Sequence, residues 1–402
     1  MTTDLADRIR ALPGMDRLLP ALDGLPPSYL VGGAVRDLLR GRESVDLDLA
    51  IEGDVQPAGR SVAERLGGEA VFHDRFGTAT VRAGELVVDL AQTRRETYAH
   101  PGALPNVEPA SLADDLIRRD FTINAMAARL NAGGLGHLHD PHGGQRDLDA
   151  GVIRVLDPRS FVDDPTRLLR AVRYEVRLGF RMDPETERLA REGDLTTVSG
   201  ARVRDELMDL LREPEAPSGL ARLHELGLDR AMHPALKADP EYAASAQLGS
   251  LEVGADPALA ALASMVAAAP DELEPWVEDL HLGRAERDAV MRAARKGPQL
   301  ARAVSPDLEP SAVHALLSCE PPEALAVALS LGAPAEPVLA YVADMRGVRL
   351  EISGADLLDA GVPQSPAIGR ALAETLKLKL DGRVSGREEE LRTALEIARS
   401  AA

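Results

Sequence analysis

Cysteine is all but missing. Cys319 is the one copy in 402 residues, which excludes an internal disulfide and a zinc cage built of thiolates and argues against redox chemistry. Lysine is scarce too, found only at Lys237, Lys296, Lys377 and Lys379, so nearly all positive charge is arginine. No apolar run approaches the roughly 18 to 20 residues that a membrane span requires. A signal peptide is not evident either: the opening "MTTDLADRIRALPGMDRLLPALDG" carries charges where an apolar stretch would lie, and it reads as a short amphipathic helix. Cytoplasm is the default compartment. The formal charge of −19, taken as a total, argues against a nucleic-acid partner, because phosphate contacts are made by Lys and Arg. Totals hide distribution, however. Arg167, Arg170, Arg173, Arg177 and Arg181 recur at helical spacing, and a local basic stripe on an acidic protein is compatible with that charge.

The length exceeds the size at which single cores stop growing, so several domains are expected. Over the first 90 residues, β-rich runs ("SYLV", "VDLDLAI", "EAVFHD", "TATVRAG", "ELVVDLAQ") alternate with helical ones ("AVRDLLRG", "QPAGRSVAERLGG"). That is a small α/β sheet domain. From about Asp114 the pattern turns helical, with "DLIRRDFTINAMAARL", "DPTRLLRAVRYEVRLGF", "DPETERLAREG" and "SGARVRDELMDLLREP" opened by capping residues or Pro and several closed by Gly. The resulting expectation is an α+β chain: head 1–140, helical neck 141–214, helical body 215–340 and helical tail 341–402.

Asp46 and Asp48 stand at i and i+2 of a predicted strand, so both carboxylates project the same way, roughly 6.5 to 7 Å apart. Asp89, in a second strand, is a candidate third member. Three converging anions would repel one another unless a cation neutralised them, and oxygen-only ligands suit Mg²⁺ rather than zinc. In-line nucleotidyl transfer uses two such ions. Read alone, "DLD" is equally well a polar strand edge. Gly32 and Gly33 close the preceding strand and open a helix, with Arg36 one turn in, an arrangement fit to hold an anion such as a triphosphate.

Together these residues carry a resemblance. "GGAVRDLLRGRESVDLDL" resembles the first motif of the class II tRNA nucleotidyltransferases and bacterial poly(A) polymerases, whose catalytic sheet is related to that of DNA polymerase beta. "TRRETYAHPGALPNVEPASLADDLIRRDFTINAMA" looks like the second motif and its lead-in, "DPHGGQRDLDAGVIRVL" like the third and "FVDDPTRLLRAVRYEVRLGF" like the fourth, so residues 28 to 212 are covered in order. The resemblance implies that Asp46 and Asp48 hold catalytic Mg²⁺ and that Gly33 and Arg36, beside Gly32, contact the triphosphate. Arg118, Arg119, Asp120 and Asn124 would meet the sugar and phosphates, and Asp164 and Arg167 would read the base. Arg170 and Arg173 continue that face as phosphate or base-edge candidates, or merely pair with neighbouring acids. The base assignment also follows from chemistry. Cytosine and adenine each present an amine donor beside a ring-nitrogen acceptor, which a carboxylate and a guanidinium one helical turn apart can match, whereas guanine and uracil present a carbonyl beside an N–H. Asp164 is also a natural helix cap before Pro165, and whether one oxygen serves each purpose is open at this level.

The fourth motif starts Asp163-Asp164 where Glu-Asp is usual, and Ala201 stands where the fifth commonly has glutamate, beside a retained Arg202 and Glu206. No His-Asp phosphohydrolase signature follows Glu215. "HLHDPHGG", with His137, His139 and His142, is read as a turn between head and neck rather than a zinc site; His73 and His100 have no evident partner. By the resemblance the partners are the tRNA 3′ end, ATP and CTP, with no membrane and no inferable protein partner. The leading reading is template-independent addition of CCA. "FHDRFGTATV" is the kind of mobile loop that permits the A step in this family, which leaves CCA and A-only addition both standing. Poly(A) polymerase comes next, disfavoured by the acidic ending "REEELRTALEIARSAA". A binding-only RNA module is disfavoured because clustered anions would face the RNA.

Overall fold

The computed structural model describes residues 4–42, 47–73, 77–131 and 133–400, without the side chains of residues 242, 243 and 247. The chain forms two compact units, residues 1–206 with 226–231, and residues 207–225 with 232–402. In the first, the opening stretch is two helices rather than one, α1 (Leu5–Ala11) and α2 (Met15–Ala21). The chain turns between them at Gly14, whose φ of 79° lies in the left-handed region that glycine enters without penalty. There follow β1 (Ser28–Val31), α3 (Gly33–Leu39), β2 (Leu47–Ile51), α4 (Val55–Leu66), β3 (Glu69–His73), β4 (Thr78–Ala83), β5 (Leu86–Gln92), β6 (Arg94–Thr97), β7 (Asn106–Pro109), α5 (Leu112–Ile117), β8 (Ala127–Arg129) and β9 (Leu138–His139).

A mixed sheet of order β3-β4-β5-β2-β1-β8-β9 is the platform of this unit. Only β2 and β5 run parallel, with Asp48 opposite Asp89. Leu47, Leu49 and Ile51 are buried while Asp48 is exposed, so β2 inserts its aliphatic face into the core and holds its carboxylate out. Helix α4 lies on β3, β4 and β5. Val55, Ala58, Val62 and Leu66 give it one buried stripe, and side chains such as Val62 and Leu66 each contribute about 1.5–3 kcal/mol by leaving water. Asp54 caps its start by accepting from the Gln56 N–H, and Gly67, at φ 67°, ends it.

"DLIRRDFTINAMAARL" does not form the single helix its pattern suggests. α5 stops at Ile117, a short 3₁₀ turn covers Thr122–Asn124, and β8 pairs antiparallel with β1, Leu30 opposite Ala128. Ala125 to Ala128 are fully buried. Tertiary pairing overrides the helix propensity of alanine and methionine here, because small side chains suit a strand packed on both faces. His139 likewise lies in the edge strand β9 rather than a free turn, its ring edge-on to Tyr29 at 5.3 Å and to His137 at 4.8 Å.

The unit continues through α6 (Gly144–Ala150), β10 (Val152–Ile153), α7 (Ser160–Asp163), α8 (Thr166–Leu178), β11 (Arg181–Met182), α9 (Pro184–Arg191) and the start of α10 (Gly200–Leu211). Helix α8 buries Leu168, Leu169, Val172 and Leu178.

The second unit is helical among the described residues. Helix Arg284–Ala303 packs on Pro322–Ser330, which packs on Pro240–Val253; Gly297 permits the first contact, since a Cβ there would lie 2.3 Å from Val327 Cγ1. Leu357, Ala371, Ala394 and Ala398 form a small core near the C-terminus. Cys319 is exposed. No helix of the described residues is long and apolar enough to cross a membrane.

Candidate active site

In the first unit, β1, α3, β2, the loop after β6, the end of α5 and the start of α8 surround a cleft of about 530 Å³. Seven arginines and five carboxylates line it. The charge of the whole chain is −19, so this cleft is the local arginine concentration that the total conceals. Gly32 sits at its base with φ 68°. A Cβ there would lie 3.0 Å from Arg119 Nη1, so glycine both makes the strand-to-helix turn and leaves room for that guanidinium.

The arginines fall into two sets. Arg36 gives Nε and Nη2 to Asp37 and Nη1 to Asn124 Oδ1 at 2.8 Å. Arg118 gives Nε and Nη2 to Asp115 and Nη1 to Glu96. Arg170 gives Nε and Nη2 to Asp120 Oδ2 at 3.0 and 2.8 Å and Nη1 to Glu206. Every nitrogen of these three is engaged with the protein. Arg119, by contrast, gives only Nη2, to Asp115 Oδ2 at 3.0 Å, and its Nε is buried with no hydrogen-bond partner among the described residues. Among the described residues, Arg167 hydrogen-bonds to neutral oxygens, Ser160 Oγ at 2.7 Å and the Arg118 carbonyl at 2.6 Å. Such donors with spare capacity beside a cleft are poised for an anionic or polar ligand.

Asp120 is buried and saturated. Its Oδ1 accepts from the Phe121 N–H at 2.8 Å and Asn124 Nδ2 at 3.0 Å, and Arg170 covers Oδ2. Burial pushes its carboxyl up, yet the Arg170 charge and the Asn124 and Arg170 hydrogen bonds prevail and hold it at about 2. Asp115 behaves the same way: burial raises it, and Arg118 and Arg119 more than offset that, leaving it below the usual carboxylate range. Burial works against the charge of Arg170, but Asp120, Tyr174 and Glu206 raise its pKa. Asp120 and Asn124 line the cleft as a brace that holds Arg36 and Arg170.

Asp164 uses one carboxylate oxygen at the start of α8. Oδ1 accepts from the Thr166 N–H at 3.1 Å, Thr166 Oγ1 at 2.6 Å and Arg202 Nη2 at 2.8 Å. All three bonds use that one atom, so the start of α8 is capped by Oδ1 while Oδ2 keeps its accepting capacity.

Asp48 lines the cleft from the exposed edge of β2. Asp89, its parallel neighbour, is exposed but outside the cleft lining, with Oδ1 accepting from Thr80 Oγ1 at 2.6 Å. Adjacent strands stand about 4.7–4.9 Å apart, so two in-register carboxylates form an oxygen-only pair that fits a hard divalent cation. Asp46 and residues 74–76 of the loop between β3 and β4 lie outside the described residues. Among the described residues, no three potential metal ligands of the His, Cys, Asp and Glu types come together.

The cleft thus gathers Gly32, Gly33, Arg36, Asp48, Arg118, Arg119, Asp120, Asn124, Asp164, Arg167 and Arg170. Arg173 is not in its lining; it is 9% exposed and 3.6 Å from Glu206. Five further participants carry no assignment from sequence: Asp37, Glu96, Tyr98 and Tyr174 in the lining, and Asp115, which holds Arg118 and Arg119. A signal for Asp115 was present, because carboxylate and arginine at i+3 and i+4 on one helix face each other. Glu96 and Tyr98 had none, since their placement depends on the pairing of β6 with β7.

Residues 28–154 match the family described as "Poly A polymerase head domain", and residues 179–239 match "Probable RNA and SrmB- binding site of polymerase A". The A-adding tRNA nucleotidyltransferase of Geobacter sulfurreducens is 36% identical over 93% of this chain and 46% of that protein. Against the A-adding proteins of Halalkalibacterium halodurans and Aquifex aeolicus the chain matches 49% and 23% of their lengths, so it spans half or less of these relatives. The CC-adding tRNA nucleotidyltransferase of Deinococcus radiodurans is 34% identical over 91% of this chain and 88% of its own. Among solved structures, the Thermotoga maritima CCA-adding enzyme complexed with tRNA aligns with a TM-score of 0.83 at 30% identity, covering 100% of this chain and 99% of that one.

Proposed function

The chain belongs to the tRNA nucleotidyltransferase family, and from that premise we propose that it adds or repairs the 3′-terminal CCA of tRNA, taking CTP and ATP without a template. The observation that carries this reading is the coexistence, in one cleft, of Asp48, the under-partnered Arg119 and the divided Asp164. Asp46 and Asp48 would hold the divalent cations, Mg²⁺ by charge and donor type, with Asp89 beside them. When bound, such ions stabilise the attacking and leaving oxygens at the α-phosphate. The chain's own residues do the rest. Arg119 offers Nη1 to phosphate over Gly32, and Arg36, held flat by Asp37 and Asn124, lends positive charge from behind. Asp164 Oδ2 accepts the exocyclic amine of adenine or cytosine while Arg167 donates to the ring nitrogen. Guanine or uracil would set acceptor against acceptor and donor against donor there, a mismatch that costs several orders of magnitude in buried sites. The Arg118 carbonyl at 2.6 Å fixes Arg167 for this purpose.

Support for CCA addition comes from the solved CCA-adding relatives, including one complexed with CTP and one with ATP. A second reading, addition of the terminal A alone, is favoured by the A-adding proteins at 36%, 44% and 47% identity. Mass analysis of tRNA ending before CCA, incubated with CTP, with ATP and with both, tests the two: extension by CC with CTP alone supports full addition, and extension only of tRNA already ending in CC supports the A-only enzyme. No extension under any condition, with Mg²⁺ present, would refute both.

A further inference from the structure

The hairpin of β6 and β7 is separate from the residues assigned to base reading, yet its tip reaches the same cleft. Tyr98 follows β6 and Pro105 precedes β7, and both line the cleft with Asp164 and Arg167. Two aromatic rings face this space. Tyr174 is buried, with the guanidinium carbons of Arg36, Arg170 and Arg173 at 5.4, 5.5 and 5.7 Å from its ring centre, so its surface is occupied. Tyr98 is half-buried, and its hydroxyl bonds Glu96 Oε2 at 3.1 Å. Burial and the Glu96 charge push its phenol up to about 12, with Arg167 and Asp164 among the charges acting on it; it therefore stays a neutral donor at physiological pH.

The tip is also tied to the base-reading carboxylate. Arg202 gives Nη1 to the Gly102 carbonyl at 3.2 Å and Nη2 to Asp164 Oδ1 at 2.8 Å. Gly102 has φ 71°, and a Cβ there would lie 2.3 Å from the Thr197 carbonyl oxygen. The hairpin tip thus lies tight against the chain leading into α10, and one guanidinium links its backbone to Asp164.

We propose that this tip is the specificity-determining wall of the nucleobase pocket: Tyr98 packs its ring on the base, and Arg202 is a positioning residue that sets the spacing between that ring and Asp164 Oδ2. The proposal rests on the base-reading roles of Asp164 and Arg167. Ring stacking tolerates any base, so Tyr98 supplies affinity. Discrimination comes from the hydrogen-bonding edge, and it is sharp only when the base lies at a fixed distance from it.

The test is initial-rate incorporation of ATP, CTP, GTP and UTP into tRNA by wild type, Tyr98→Phe, Tyr98→Leu, Arg202→Lys and Arg202→Gln, with calorimetric ATP binding and thermal melting of each. Tyr98→Leu is expected to raise KM and the ATP Kd about tenfold, with kcat changed less than about threefold, and Tyr98→Phe to stay near wild type. Arg202→Gln is expected to lower the preference for ATP over GTP about tenfold, with Lys restoring part of it. Unchanged KM and Kd in a Tyr98→Leu protein that melts like wild type would overturn the proposal. So would an Arg202→Gln protein that loses kcat equally for all four nucleotides. If Tyr98→Leu does not fold, the selectivity of Arg202→Gln decides. A wild type indifferent to the base would refute base reading itself, whereas selectivity persisting in every variant refutes only the wall.

Discussion

Two sets of polar residues share the walls of one cleft and differ in what they have left to give. Asp120, Arg36, Arg118 and Arg170 spend their hydrogen-bonding groups on one another and on Asp37, Asn124, Asp115 and Glu206. Asp164 keeps one oxygen in reserve and Arg119 keeps Nε. On the function proposed above, the first set braces the cleft and the second is left to meet a ligand, although both are built from the same two residue types. Charge and proximity therefore do not assign a role; the count of unspent donors and acceptors does.

On the proposed reading, that contrast is most exposed at Asp48. Asp48→Asn is expected to cut single-turnover nucleotide incorporation at least about a thousandfold while thermal melting stays near wild type, since the side chain is exposed on β2; Asp89→Asn should cost less, about ten- to a hundredfold. Within the architectural set the effect should appear in stability instead. Asp120→Ala leaves the half-buried Arg170 with Glu206 as its carboxylate partner beside the Tyr174 hydroxyl, and denaturant unfolding should show a loss of about 3 kcal/mol. Next in size is a substitution that separates the two oxygens of one residue. Asp164→Asn can still accept from Thr166 and Arg202 through its carbonyl, but it turns an amide donor toward the base, so incorporation of ATP and CTP should fall about a hundredfold with little change in melting. A cap lost with the fold would show the reverse pattern.

The smallest expected effect is in acid. The folded Asp120 carboxyl titrates at about 2, below the ordinary 3.8. Its contribution is present above the unfolded value and is lost as pH falls from about 4 through 2, amounting to about 2 kcal/mol. Urea unfolding across that interval should show this slope in wild type and not in Asp120→Asn. A slope common to both would assign acid sensitivity to other carboxylates.

Much of this was legible in the sequence. Alternation along "VDLDLAI" and "ELVVDLAQ" marked β2 and β5, which the structure pairs in parallel with Asp48 beside Asp89, and the Asp-Pro-Thr start of α8 marked its cap. The fate of "FTINAMAARL" was not legible, because its alanines are fully buried by pairing with β1, and helix propensity carries no information about a distant strand. The division of labour among the arginines was hidden for a related reason. Arg118 and Arg119 are adjacent, yet only one is gripped by a carboxylate from β6, Glu96, and that grip exists only after folding.

The solitary thiol has a practical consequence. Cys319 is exposed, lies in the second unit and has no competitor anywhere in the chain. A maleimide fluorophore therefore attaches at one defined position without prior mutagenesis. Energy transfer from such a dye to one on an added tRNA would test, in real time, the nucleotide addition proposed above.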